Sequence, residues 1–194
     1  MEETRQEKIS SIFSALGQFT LSFIETIVVA LVISVILYLF IVTPHEVVGK
    51  SMFPTYKDGE YLMANKVTYR FSEPKRGDVI IFEFSETQDF IKRIIGLPGD
   101  KVSLMDGKLF VNGEELDERN YLDNSIYTNG GSFLKEGETK EVPDGEYFVC
   151  GDNRQHSSDS REFGTIKKSA IKGKVLLVYY PFSSFRLATE KAYD

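Results

Sequence analysis

A run of nineteen uncharged residues, Thr26–Pro44 (TIVVALVISVILYLFIVTP), constrains this chain more than any other feature. At 1.5 Å per residue it makes about 28 Å of helix, close to the roughly 30 Å hydrocarbon core of a bilayer. A helix that is apolar all round would need a large soluble body to surround it, and what remains of the chain is one domain of ordinary size. A cleavable secretory signal would show a basic start, a shorter apolar run and a small-residue cleavage site. Instead the chain starts MEETRQEK and leaves the run through Val42-Thr43-Pro44. A transmembrane helix is therefore expected over residues 26–44. Ahead of it, in residues 1–25, Ile9, Ile12, Phe13, Leu16 and Phe23 recur at helical spacing among polar residues, the pattern of an amphipathic lead-in lying at the interface. Charge does not orient the span, since Arg5 and Lys8 precede it and Lys50 and Lys57 follow it.

Residues 45–194 have a different texture. Tyr61–Val67, Asp78–Phe84, Asp89–Ile95 and Val175–Tyr180 are rich in Ile, Val, Phe and Tyr and read as strands. Asp106-Gly107 between two apolar segments is a two-residue hairpin signal, and Asn112-Gly113 marks another turn. The expected fold is mainly β: antiparallel sheets in a barrel-like domain, with a small β subdomain inserted over about residues 105–142. A net charge of −6 without a basic run argues against nucleic acid as a partner. One cysteine and two histidines leave no disulfide framework, and make a His-based metal centre or a Ser-His-Asp triad hard to assemble. No metal and no cofactor are expected.

Three segments carry candidate chemistry. In Gly49-Lys50-Ser51-Met52-Phe53-Pro54-Thr55 a serine sits between a glycine and a proline-containing turn, where a nucleophile and a backbone N–H can face a ligand; a serine there can equally serve the turn alone. In Asp89–Asp100 two cations interrupt an apolar strand. Alternation puts Lys92 on one face with Phe90 and Ile94, and Arg93 on the other with Ile91 and Ile95, so one of the two is directed toward apolar surroundings. Arginine keeps its charge, whereas a desolvated lysine can lose its proton and act as a base. A solvated edge strand would also carry such charges. The third segment, Gly151–Arg161, crowds Asp, Asn, Ser and Arg directly after the apolar Tyr147–Cys150. Ser157 there can orient an amine, and Asp159 and Arg161 can pair to fix the turn. The S-x-x-K patterns at Ser132–Lys135 and Ser169–Lys172 lack the motifs that would give them meaning.

One N-terminal span followed by GKSMFPT, RGDVIIF (Arg76–Phe82), IKRIIGLPGD (Ile91–Asp100) and GDNRQHSSDSR resembles the type I signal peptidases, in their short, one-span form. The resemblance implies a membrane-anchored serine endopeptidase that removes signal peptides from exported preproteins, with small residues at the first and third positions before the cut. It implies Ser51 as nucleophile, Lys92 as general base, Ser157 hydrogen-bonded to the Lys92 amine, and Asp159 and Arg161 as support. Some relatives carry a second serine where this chain has Gly49, which leaves the second oxyanion donor to backbone or water. Val47, Tyr56, Phe90 and Ile91 would line the shallow substrate pockets. The same likeness implies a plasma-membrane location, residues 1–25 on the cytoplasmic side and residues 45–194 outside the cytoplasm. Ser51 lies nine residues past Val42, at most about 30 Å of extended chain, so it would work near the lipid surface. The competing readings are a different Ser–Lys hydrolase and a non-catalytic tethered β-domain that binds exported polypeptides.

Overall fold

A computed structural model describes residues 2–123 and 125–188 of the chain. The first element is a long helix, α1 (Glu2–Phe40). Its stretch Leu16–Tyr38, 23 residues of mostly apolar and unburied side chains, is long and apolar enough to cross a membrane. The lead-in pattern depends on Ile9, Ile12 and Phe13, whose side chains lie outside the described residues. The helix stops at Phe40, short of the Pro44 boundary expected from the uncharged run, because Val42–Glu46 forms strand β1 instead. Proline has no N–H for a helix and biases the residue before it toward extended backbone; the β-branched Ile41, Val42 and Thr43 share that preference.

From Val42 onward the chain forms a second compact unit. Its remaining elements, in chain order, are β2 (Tyr61–Asn65), α2 (Thr68–Phe71), β3 (Val79–Ser85), β4 (Gln88–Gly96), β5 (Lys101–Met105), β6 (Lys108–Val111), β7 (Glu114–Glu115), β8 (Thr139–Glu141), β9 (Glu146–Cys150), α3 (Ser160–Phe163), β10 (Ile166–Lys167), β11 (Ile171–Tyr180) and β12 (Arg186–Leu187). The main sheet runs β1-β2-β11-β3-β4-β9-β10, with β12 beside β11, and every pairing is antiparallel. The fold is thus mainly antiparallel β, as expected from sequence; among the described residues the end strands β1 and β10 do not pair with each other. A second sheet, β7-β6-β5-β8, occupies Lys101–Glu141. Its first hairpin turns at Asp106 (φ 52°) and Gly107 (φ 70°), the positive-φ pair that a two-residue loop demands. The Tyr127 ring closes over Gly107, 2.2 Å from where a Cβ would stand.

Two features of the sheet position the site. Val79–Phe82 is buried on both faces, which makes β3 a rigid interior strand behind β4. Strand β9 pairs with β4 only between Arg93 and Gly96, leaving the second edge of Asp89–Lys92 outside that ladder. Loops on either side of this edge carry the candidate residues.

Candidate active site

Ser51 stands at the start of a tight turn. Upstream, Val47 is tied into the sheet by its N–H to Glu60 O (2.8 Å) and its carbonyl to Gly59 N–H (2.8 Å). Gly49 then takes φ +91°, a conformation L side chains rarely adopt, and donates its N–H to Asp58 Oδ1 at 2.7 Å. Past Ser51, Phe53 N–H reaches Lys50 O (3.1 Å) and Tyr56 N–H reaches Met52 O (2.9 Å). Met52 points into the core and anchors the turn from below, while Phe53 stays half-exposed.

The loop after β9 holds the same turn from the other side. Asn153 donates its backbone N–H to Ser51 O (2.9 Å) and its side-chain amide to Lys50 O (3.0 Å). Gly151 permits this approach, since a Cβ there would lie 2.4 Å from Ser51 O and 2.2 Å from Ser157 Oγ. Asp152 accepts both Arg93 Nε (2.9 Å) and Arg93 Nη2 (2.7 Å), and its second oxygen also takes the Thr55 hydroxyl at 2.6 Å. Arg93 further donates to Gly77 O and stacks 4.1 Å from the centre of the Tyr121 ring.

Both cations of β4 are therefore buried, on opposite faces. Lys92, 3% exposed, lies with Nζ 2.9 Å from Ser51 Oγ and donates to Ile91 O at 3.0 Å. Desolvation pulls its amine down from 10.5 to about 8, against the raising influence of the Asp159 and Asp152 carboxylates. As an ammonium it donates to the serine hydroxyl; as a neutral amine at the same distance it can take that proton.

Asp159 and Arg161 form a buried pair, Nε to Oδ1 and Nη2 to Oδ2 each at 2.8 Å. Asp159 also caps α3 by accepting Arg161 N–H and takes Gly151 N–H at 3.0 Å. Burial alone would raise its carboxyl, but the Arg161 and Gly151 bonds outweigh it and hold it below the ordinary range. Arg161 extends the brace to Asn129 O and Arg154 O. Ser157 Oγ is buried without a hydrogen-bond partner: it makes no bond to Lys92, and its contact with Asp159, though close enough to favour that carboxylate, falls short of hydrogen-bond geometry.

A cleft of about 300 Å³ opens over Ser51 and Lys92. Val47, Phe90 and Ile91 line it, together with Gly49. Tyr56 does not. The turn from Met52 to Tyr56 directs its ring away from the cleft into the core with Leu62 and Val178, where burial pushes its hydroxyl up to about 12. His45 and His156 face the cleft as well, although no sequence pattern connected them. Among the described residues no group of three or more His, Cys, Asp or Glu side chains is placed to hold a metal ion. The Asp152–Arg93 pair and the Asn153 bonds escaped the sequence reading; the dense polar run after an apolar strand was the only signal for them.

The chain is similar in sequence to known proteins. The signal peptidase family, peptidase S26, matches residues 20–180. Signal peptidase IB of Staphylococcus aureus (strain COL) is 40% identical over 177 residues, which cover 86% of this chain and 92% of that protein. Signal peptidase I of Bacillus caldolyticus is 40% identical over 166 residues, covering 81% of this chain and 90% of that one. Among solved structures, a signal peptidase I from Enterococcus faecalis V583 is 31% identical, with a TM-score of 0.41, over 53% of this chain and 97% of its own.

Proposed function

The chain belongs to the signal peptidase family, peptidase S26, and is a serine endopeptidase that removes signal peptides; we propose that Ser51 and Lys92 perform the cleavage as a Ser–Lys dyad. The observation that carries this reading is the 2.9 Å approach of a buried lysine amine to one serine hydroxyl. Neutral Lys92 takes the Ser51 proton as Oγ attacks the scissile carbonyl. The new ammonium then protonates the leaving amine, freeing the mature polypeptide and leaving the signal peptide esterified to Ser51. A water deprotonated by the same lysine hydrolyses that ester.

The Ser51 N–H supplies one oxyanion donor. Gly49 N–H is already committed to Asp58, so the second donor is another backbone group or water. Asp159, Arg161 and Gly151 hold the loop behind the dyad. Ser157, with an unsatisfied hydroxyl in that loop, orients the amine once the site closes on substrate.

The preprotein lies as an extended strand along the open edge of Asp89–Lys92, its backbone extending the sheet. Small residues at the first and third positions before the cut fit the shallow apolar wall of Val47, Phe90 and Ile91. The apolar helix anchors the enzyme in the plasma membrane, with the dyad on the outer side, where exported chains emerge. Ser51→Ala and Lys92→Ala should each abolish cleavage of a membrane-presented preprotein while leaving the fold unchanged by circular dichroism. Full cleavage by either variant assigns the chemistry elsewhere.

A further inference from the structure

The C-terminal strand contributes a second grip on the nucleophile turn. Arg186, in β12, donates Nη1 to Glu60 Oε1 (2.9 Å) and Nη2 to Glu60 Oε2 (2.6 Å), a fork-on-fork ion pair. The same Nη2 reaches Thr55 O at 2.6 Å, and the guanidinium lies 5.4 Å from the Tyr56 ring centre. Glu60 is almost fully buried and takes Lys57 N–H as well, so it is a fixed post. Thr55 is consequently held twice: its carbonyl by Arg186, itself fixed by Glu60, and its hydroxyl by Asp152, which is locked to Arg93 beside Lys92. It stands four residues past Ser51, and the Tyr56 N–H bond to Met52 O closes the intervening turn. A cavity of about 280 Å³ lies directly behind that turn, bounded by Pro54, Thr55, Tyr56, Arg93 and Arg186. Met52 and Tyr56 pack this turn into the core on one side; toward the cavity, the Arg186 and Asp152 bonds to Thr55 hold it forward.

We propose that Arg186 is a positioning residue for catalysis, setting the height of Ser51 Oγ against Lys92 Nζ through the Thr55 carbonyl. The inference rests on the Ser51–Lys92 dyad. Lysine cannot replace this guanidinium, because a single ammonium lacks the planar fork that serves Glu60 and Thr55 together. Displacing a nucleophile by about an ångström costs up to a hundredfold in rate. Substrate binding is untouched, since Arg186 lines the rear cavity and not the cleft.

The test measures kcat and KM of the full chain for preprotein cleavage, well below its melting temperature, in Arg186→Ala and Arg186→Lys, with and without low-millimolar guanidinium. Arg186→Ala is expected to lose about tenfold or more in kcat with KM within twofold, and guanidinium, entering the vacated site, to restore part of the loss. Arg186→Lys is expected to lose kcat in the same sense and carries the test if the alanine variant does not fold. Unchanged kcat, a loss expressed mainly in KM, or a kcat loss in Arg186→Ala that guanidinium leaves untouched overturns the inference. Ser51→Ala assayed alongside keeps the two readings apart: if it is inactive while Arg186 variants are normal, only the positioning role fails; if it is active, the dyad itself fails.

Discussion

Gly151 lies so near Ser51 that a single added methyl group would meet the serine carbonyl oxygen at 2.4 Å. The same methyl would meet Ser157 Oγ at 2.2 Å, so it has no side on which to relax. Gly151→Ala must push the nucleophile turn and the supporting loop apart. Activity is expected to fall at least a hundredfold, with a stability loss of about 1–3 kcal/mol from overpacking. Steady-state cleavage and a urea melt check both.

In the proposed dyad, the depressed Lys92 amine sets the pH dependence. Below about 8 the amine is mostly charged, so kcat/KM should fall tenfold per pH unit on the acid side and level off above that value. The sign for stability follows separately. In the unfolded chain the amine titrates near 10.5, so between about 8 and 10.5 the unfolded state binds the extra proton and stability from this group rises with pH. At neutral pH the folded state therefore holds a cation at a cost on the order of 3 kcal/mol. Lys92→Met should be inactive yet more stable at pH 7, by about 1–3 kcal/mol, in chemical denaturation.

Asp159 acts on Lys92 at a distance, raising its pKa by charge alone. Asp159→Asn removes that support, so the midpoint of the pH–rate profile should move to lower pH. The substitution also leaves Arg161, 4% exposed, without its carboxylate, at about 3–5 kcal/mol of stability. A rate profile recorded at low temperature, beside a melt, separates the two effects.

The side of the membrane is open to a direct check. With the dyad outside the cytoplasm, protease added to intact cells should degrade the domain beginning near Val42 and spare the N-terminal segment. Protection of that domain until the cells are opened would reverse the topology.

Much of this was legible because the signals were local. Asp106-Gly107 and Asn112-Gly113 announced turns whose positive φ values the structure has, and the apolar strands around Ile80 and Ile94 fall where β-branched residues cluster. Strand alternation placed Lys92 and Arg93 on opposite faces, but could not tell which one met apolar surroundings. Both are buried, and their difference lies in their partners: Arg93 finds the Asp152 carboxylate, fifty-nine residues on, while Lys92 donates to the Ser51 hydroxyl and the Ile91 carbonyl, with its Nζ 4.9 Å from the Phe90 ring centre. Tyr56 was misplaced for the same reason, since its direction is set by the Met52 turn and the core below it. The strand order was equally hidden, because pairings such as β11 between β2 and β3 join segments about a hundred residues apart, and nothing local encodes them.

The protonation state of Lys92 tests the central claim most directly. Nuclear magnetic resonance titration of its Nζ in the folded, membrane-reconstituted enzyme should give a midpoint near 8, coincident with the acid limb of kcat/KM. A midpoint near 10.5, with activity already maximal at neutral pH, would contradict a neutral lysine as the base for Ser51.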